Sequence, residues 1–194
     1  MNVQQYLGSL FGVLEQLPSR DIVRLHDVLF DAWRTGRTIF IAGNGGSAST
    51  ASHFANDLNK GANVPNQPRF RAIALTDNVP LMTAWANDAS YDRVFLEQLA
   101  NLLRPGDVFM AISGSGNSPN IIAAVQWANE AGAITIALTG GMGGRLCTLA
   151  DYSVVVPSGR MEQIEDVHLI VAHALCTSLR ATIVARTRAT VATS

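Results

Sequence analysis

Two stretches of the sequence, TIFIAGNGGS at residues 38–47 and DVFMAISGSGNS at residues 107–118, decide the fold. Each begins with a short apolar run that is typical of a buried strand, continues into a turn of small residues, and then enters a helical pattern. The matching positions are Ile41 and Ile112, Gly43 and Gly114, Gly45 and Gly116, and Ser47 and Ser118. The chain therefore uses one strand–turn–helix unit twice, which indicates an α/β protein.

The same alternation of strands and helices extends along the rest of the chain. Strands are predicted at residues 38–42, 71–75, 107–112, 133–138 and 152–156. Helices are predicted between them, among them 91–103 and about 144–149, and a long closing helix over about 161–185. Short, uniformly apolar strands predict a doubly wound, five-stranded parallel sheet flanked by helices, a flavodoxin- or Rossmann-like fold. We expect one domain, with N-terminal helices at 1–35, an α/β core at 36–186 and a frayed tail at 187–194.

The composition argues against several classes of protein. The chain has 194 residues, 14 Lys and Arg against 15 Asp and Glu, and a net charge of −1, whereas a nucleic-acid-binding protein usually has a basic face. No uninterrupted apolar run approaches the roughly 18 residues of a membrane span, and the N-terminus lacks the pattern of a signal peptide. Two cysteines suit a reducing, cytoplasmic compartment. The charged fraction of only 15% indicates that subunit contacts bury much surface.

The two glycine- and serine-rich turns are candidates for binding a phosphate or another anion. Glycines let the backbone approach a ligand, and the following helix offers free N–H groups. The alternative is that these residues only form tight turns and helix caps. Neither turn has the lysine of a nucleotide-hydrolysing P-loop. Gly43–Ala48 formally fits the dinucleotide fingerprint, but no acid follows at the required spacing, so NAD binding is a weaker alternative.

Histidines and carboxylates provide a second candidate site. His53 and Asp57 lie four residues apart, on one face of the helix that follows the first turn. Glu165 and His173 lie on the closing helix, two turns or roughly 12 Å apart. One metal ion could bind both only if their side chains converged, so they would otherwise serve neighbouring subunits. On the same helix, we expect His168 to be a structural, hydrogen-bonded histidine.

Four segments together resemble a known family. They are IAGNGGSASTASHFAND at 41–57, ND at 87–88, ISGSGNS at 112–118 and EQIEDVHLIVAH at 162–173. They are similar to the sugar isomerase (SIS) family, and within it to the phosphoheptose isomerase branch, over nearly the whole chain. The resemblance implies the SIS fold and the role of a phosphosugar isomerase.

The resemblance also implies a role for each matching residue. The implied substrate-binding residues are Asn44, Gly45, Gly46, Ser47, Asp57, Asn87, Asp88, Ser113, Gly114, Ser115, Ser118 and Glu165. The implied ligands of zinc or another divalent metal are His53, Asp57, Glu165 and His173, with Asp57 as the catalytic base and His173 as the general acid. Asp57 stands where the family has a glutamate, and Glu165 where it usually has a glutamine. Both still offer oxygen donors to a metal.

The implied reaction converts sedoheptulose 7-phosphate to D-glycero-D-manno-heptose 7-phosphate for heptose biosynthesis, by proton transfer through an enediolate. The implied assembly is a cytoplasmic homotetramer whose sites are shared between subunits. Its expected binding partner is a small phosphosugar, and we expect it to bind neither nucleic acid nor a membrane. Two alternatives remain open at this point. One is a non-catalytic SIS protein that binds a replication initiator, and the other is an isomerase of a different phosphosugar, because phosphate turns do not measure sugar length.

Overall fold

A computed structural model describes the backbone of residues 1–192 and the side chains up to residue 189. Its centre is a five-stranded sheet in which every pairing is parallel, with the strand order β2-β1-β3-β4-β5. The strands are β1 Thr38–Gly43, β2 Arg71–Ala74, β3 Val108–Ser113, β4 Ile134–Gly140 and β5 Tyr152–Val156. The predicted fold class, a doubly wound parallel α/β sheet with N-terminal helices, is confirmed.

Eight α-helices surround the sheet within the described residues. They are α1 Val3–Glu15, α2 Ser19–Thr35, α3 Gly46–Asn56, α4 Val79–Asp88, α5 Leu96–Leu102, α6 Pro119–Glu130, α7 Gly144–Leu149 and α8 Met161–Ala192. A π-helical turn, Asp57–Gly61, continues α3, and a 3₁₀ turn, Tyr91–Arg93, precedes α5. The predicted helix over 91–103 is therefore divided in two.

Both faces of the sheet are buried, which explains why its central strands carry no alternation of polar and apolar residues. Every residue of β1 and β3 is buried. On one face, apolar residues of α2, α3 and α8 such as Leu29, Phe54 and Val167 form one core cluster. On the other face, residues of α5 and α6 such as Leu99 and Val125 form a second cluster.

The closing helix α8 is longer than predicted. It continues to Ala192, past the expected end near residue 185, so residues 187–192 are helical rather than frayed, and residues 193–194 lie outside the described chain. The C-terminal sequence contains no glycine or proline to stop a helix, and Thr187 donates its hydroxyl hydrogen bond back to the Ile183 carbonyl. The correction leaves the sheet and the site unchanged.

Helix α8 also meets the length and composition criteria of a membrane span over Met161–Ala189. The core helix of a globular protein meets the same criteria. Val171, Leu175 and Leu179 are buried in the first core cluster, where α8 packs against α2 and α3. The apolar composition of α8 is thus accounted for by its place in the core.

The strand order sets the position of the site. In a doubly wound sheet, ligands bind beyond the carboxyl ends of the strands, where successive connections leave for opposite faces. With the order β2-β1-β3-β4-β5, this switch point lies between β1 and β3. Those are the two strands that the glycine- and serine-rich turns follow.

Candidate active site

A cavity of about 260 Å³ lies at the switch point between β1 and β3. We call residues 43–47 the first turn and residues 113–118 the second turn. The cavity is lined by Asn44, Gly45, Gly46, Ser47, Ile112, Ser113, Gly114, Ser115, Ser118, Met161 and Glu165. The structure therefore brings together all eight turn residues that the sequence singled out for substrate binding, in one concave surface.

The second turn offers hydroxyl groups and a helix start to an anion. The Oγ atoms of Ser113 and Ser118 lie 3.1 Å apart, and the Oγ of Ser115 accepts a hydrogen bond from the Asn117 backbone N–H. Ser118 is the residue before α6, where Pro119 has no N–H and the Ile121 N–H donates to the Ser118 carbonyl oxygen and to Asn120 Oδ1, which leaves the Asn120 N–H for a ligand. Serine hydroxyls next to a helix N-terminus favour a phosphate or another anion.

The shape of the second turn requires a glycine at position 116. Gly116 has a φ of +64°, and a Cβ atom there would lie 2.0 Å from the Gly143 carbonyl oxygen. Only a residue without a side chain allows the turn to pack this closely against the loop before α7. The glycine thus fixes the path of the chain that carries Ser115 and Ser118.

Outside the cavity, His53, Asp57 and His173 form a compact group. The Nε2 atoms of the two histidines lie 2.9 Å apart, and the Oδ2 atom of Asp57 lies 3.5 Å from His53 Nε2 and 3.6 Å from His173 Nε2. Two of these residues come from α3 and its π-helical extension, and the third from α8. Both histidines are exposed and the Asp57 side chain is 18% exposed, so a small ligand can reach the group.

The group has the donors and spacing of a divalent metal site. Zinc binds imidazole nitrogen and carboxylate oxygen at about 2.0–2.2 Å, which places neighbouring ligand atoms of a tetrahedral site roughly 3.4 Å apart. The three distances between His53, Asp57 and His173 fall close to that value. Three protein ligands leave one position of a tetrahedral site for substrate or water, as in catalytic zinc sites. The residues therefore fit such an ion.

Asp57 occupies a junction in the backbone. It is the first residue of the π-helical turn that continues α3, and such turns are frequent at functional sites. Its carbonyl oxygen lies 3.5 Å from the Cys176 Sγ, which joins the turn to α8. Burial, with the nearby Asp57 charge, raises the pKa of the Cys176 thiol, which is buried in the first core cluster.

Glu165, the fourth expected metal ligand, lies apart from this group. The Glu165 carboxylate packs against Gly46 so closely that a Cβ atom added to Gly46 would lie 2.3 Å from Glu165 Oε2. Glu165 also lines the cavity between the two turns. The described residues that converge as possible ligands are His53, Asp57 and His173 alone. Two helical turns separate Glu165 from His173 along α8, and the side chains do not converge. Within one chain the four expected ligands therefore do not form one group, and Glu165 as a metal ligand stays a prediction.

The remaining polar candidates lie elsewhere. Asn87 and Asp88 are exposed at the end of α4 and are joined by a 2.8 Å hydrogen bond, outside the cavity of their own chain. His168 is 1% exposed, and its Nε2 lies 3.1 Å from the Thr139 carbonyl oxygen. Its burial and this contact confirm the prediction of a structural, hydrogen-bonded histidine, and burial lowers the pKa of His168.

Sequence reasoning missed Asn120 and Tyr91. Asn120 is 1% exposed and hydrogen bonds to Asn44 of the first turn, and the Tyr91 hydroxyl also reaches Asn44. An amide in the first turn of a helix is an ordinary feature of sequences, so only its complete burial distinguishes Asn120.

Comparison with known proteins agrees with this fold. The model of the SIS domain family matches residues 5–140. The phosphoheptose isomerase of Halorhodospira halophila is 45% identical over 159 residues, which are 80% of this chain and 80% of the relative. That of Akkermansia muciniphila is 38% identical over 156 residues, 80% of this chain and 82% of the relative. The solved phosphoheptose isomerase from Neisseria gonorrhoeae superimposes with a TM-score of 0.86 at 32% identity, covering 92% of this chain and 97% of that one.

The two-turn cavity on a five-stranded parallel sheet and the family match define a SIS domain protein. Within that class, the chain belongs to the phosphoheptose isomerase family. The predicted enzyme class, a phosphosugar isomerase, is confirmed at this level.

Proposed function

We propose that the chain converts sedoheptulose 7-phosphate to D-glycero-D-manno-heptose 7-phosphate, an aldose–ketose isomerisation that supplies heptose biosynthesis. The observation that carries the proposal is the pairing of a candidate anion-binding cavity at the start of α3 with a His–Asp–His group where the other end of α3 meets α8. From Gly46 to His53, α3 rises about 10 Å. The cavity and the group are therefore separate places, as a sugar with its phosphate and carbonyl at opposite ends of the carbon chain requires, and several relatives carry the name phosphoheptose isomerase.

In this proposal the second turn binds the phosphate. The hydroxyls of Ser113, Ser115 and Ser118 donate hydrogen bonds to its oxygens, together with the Asn120 backbone N–H at the start of α6. The first turn and Glu165 line the space next to it and contact the sugar hydroxyls. Because the phosphate is far from the reacting carbons, its binding energy serves to orient them.

The proton transfer is assigned to Asp57 and His173. The Asp57 carboxylate removes a proton from C1 of the ketose and returns it to C2, while His173 exchanges the hydroxyl proton between O2 and O1. The intermediate is an enediolate, and the atoms balance because the reaction only moves hydrogens. Zinc or another divalent ion held by His53, by one ring nitrogen of His173 and by one oxygen of Asp57 would leave the second nitrogen and the second oxygen to carry the protons, and would supply positive charge to the two substrate oxygens.

We also propose that the enzyme is a cytoplasmic homotetramer with sites shared between subunits. Helix α1 has an exposed apolar stripe of Val3, Leu7 and Phe11, which are 75%, 54% and 70% exposed. Four-residue spacing places them on one face, as a subunit contact requires. Since Asn87 and Asp88 lie outside their own cavity, they would contact substrate in the cavity of a neighbouring copy.

The test is turnover by the purified protein. After treatment with a chelator, the protein is supplied with sedoheptulose 7-phosphate and zinc, manganese, cobalt or nickel in turn, and the aldose phosphate is quantified. We expect aldose with at least one metal and none from D57A. Five- and six-carbon ketose phosphates measure selectivity, and faster turnover of one of them would favour the isomerase of another phosphosugar. No aldose with any metal would overturn the proposal, and capture of an initiator protein by that inactive protein would favour the non-catalytic alternative.

A further inference from the structure

We infer that Asn120 and Tyr91 are positioning residues that hold the first turn against the second, so that the phosphate meets a preformed cavity. Neither residue lines the cavity. Both act through Asn44, which does line it. The inference rests on the proposed function only where its test measures the KM for the phosphosugar.

The contact between Asn44 and Asn120 is a reciprocal amide pair. Asn44 Nδ2 donates to Asn120 Oδ1 and Asn120 Nδ2 donates to Asn44 Oδ1, each at 2.9 Å. Asn120 Oδ1 also accepts the backbone N–H of Ile121 at 2.9 Å, which fixes the orientation of its amide at the start of α6. Each amide thereby determines the orientation of the other. The pair links the turn after β1 to the helix after β3.

Tyr91 adds a third segment to this contact. Its hydroxyl donates to Asn44 Oδ1 at 3.1 Å, so that oxygen accepts two hydrogen bonds. Tyr91 begins the 3₁₀ turn that follows α4, and α4 ends with Asn87 and Asp88. One side chain of the first turn is therefore tied to both the phosphate-binding helix and the segment that carries the other expected substrate contacts.

Packing alone does not explain the pair. A buried amide must be desolvated, and its hydrogen bonds return only a modest net stability, so an apolar pair would fill the same space at least as well. Directional hydrogen bonds instead fix the position of the two turns relative to each other. The turns consist of small residues, so they have few side chains that could fix this position by packing. Preforming a site lowers the entropy lost when its ligand binds.

The decisive variant is N120D, which keeps the size of the side chain but cannot donate to Asn44 Oδ1 when ionised. We expect the KM for the phosphosugar to rise about tenfold, equivalent to about 1.4 kcal/mol. We expect kcat to change by less than about twofold, because phosphate contacts are the same in bound substrate and transition state. Y91F removes one exposed hydrogen bond and should raise KM about threefold with no change in melting temperature.

The matched control is N129D, the same change at the other end of α6. Asn129 Nδ2 donates to the Leu149 carbonyl oxygen at 2.8 Å, far from the turns along the helix, so N129D should leave KM unchanged. A second readout is the dissociation constant of inorganic phosphate measured by calorimetry, which should weaken with N120D in parallel with KM. This readout needs no turnover, so it tests the inference even if the proposed substrate is wrong.

Three results would overturn the inference. The first is a folded N120D whose KM and phosphate affinity stay within twofold of the wild type. The second is an equal rise in KM for N129D, which would assign the effect to general destabilisation of α6. The third applies if N120D does not fold, in which case Y91F becomes the test. A folded Y91F with unchanged KM and unchanged phosphate affinity would then overturn the inference.

Discussion

The Nε2 atoms of His53 and His173 lie 2.9 Å apart, although 120 residues separate the two histidines in the chain. Their rings meet edge to face, with centroids 4.9 Å apart and an angle of 69° between the planes. Two nitrogens at this distance share either one proton or one cation between them. The group exists only where α8 packs against α3, so the candidate metal site depends on the tertiary fold rather than on a local motif.

Removal of either histidine should abolish metal binding. We expect H53A and H173A to lose bound zinc, measured as metal per chain after dialysis, and to lose at least about 100-fold in kcat if the proposed acid–base chemistry operates. H26A is the control, since His26 lies between α2 and α8 and hydrogen bonds to Thr182. Wild-type metal content in both active-site variants would contradict the assignment.

Replacement of Asp57 by asparagine tests the proposed base. D57N keeps the size of the side chain and removes its charge, so kcat should fall by about 10²- to 10⁴-fold while KM changes little. The measurement is the full dependence of rate on substrate concentration, with deuterium uptake from heavy water into the sugar as an independent signal of proton transfer. Deuterium uptake at the wild-type rate in D57N would assign the base to another residue.

The fold could be predicted from the sequence because its signals are local. The apolar run of β1 ends at the glycine-rich first turn, which marks the end of the strand in the sequence. The predicted bounds of α7 and β5, 144–149 and 152–156, agree with the structure. Patterning of this kind also identified every turn residue that lines the cavity. The exceptions were the end of α8, where no residue stops the helix, and residues 91–103, which form a 3₁₀ turn and α5 instead of one helix.

The metal group could be predicted only in part because side-chain convergence is not local. The spacing of His53 and Asp57 put both on one helical face, but nothing in the sequence gives the rotation at which α8 meets α3. That rotation brings His173 to the group and leaves Glu165 over Gly46. Burial of Asn120 is likewise a consequence of packing that its neighbours in sequence do not reveal.

The position of Glu165 leads to a prediction about substrate affinity. Its carboxylate lies in the cavity that we propose for a dianionic phosphosugar, and the two negative charges repel each other. E165Q removes this repulsion and should lower KM about threefold. The effect is small because Glu165 is partly exposed, so solvent and salt screen the repulsion. The effect should shrink at high salt, and the metal content should not change. D166N alters the adjacent, exposed carboxylate, which is bonded to Tyr6, and should leave KM as it is. Loss of metal in E165Q would instead make Glu165 a ligand.

The positive φ of Gly116 predicts a large effect of a small substitution. A Cβ atom would meet the Gly143 carbonyl oxygen at 2.0 Å, and backbone atoms cannot move aside as a side chain can. We expect G116A to lower the free energy of unfolding by at least about 2 kcal/mol in urea denaturation at constant protein concentration. G8A is the control, because open space surrounds Gly8 in α1 and alanine there should stabilise by about 0.5–1 kcal/mol. Equal stabilities for the two variants would contradict the conformation of the second turn.

Burial of His168 predicts how the protein loses stability in acid. Among the described residues its Nδ1 has no hydrogen-bond partner, and burial lowers its pKa below the ordinary 6.5. The unfolded chain therefore takes up a proton near pH 6.5, whereas the folded chain does so only at lower pH. Between those two values the unfolded state binds more protons, so the free energy of unfolding falls as the pH falls, by at most about 1.4 kcal/mol per pH unit.

H168Q isolates this contribution, since glutamine can still donate to the Thr139 carbonyl oxygen but does not titrate. Urea denaturation from pH 7.5 to pH 5 should give a smaller loss of stability in H168Q than in the wild type. All other titrating groups are common to the two proteins, so the difference between the two curves belongs to His168. Curves that remain parallel through this range would mean that the imidazole is as readily protonated in the folded core as in the unfolded chain.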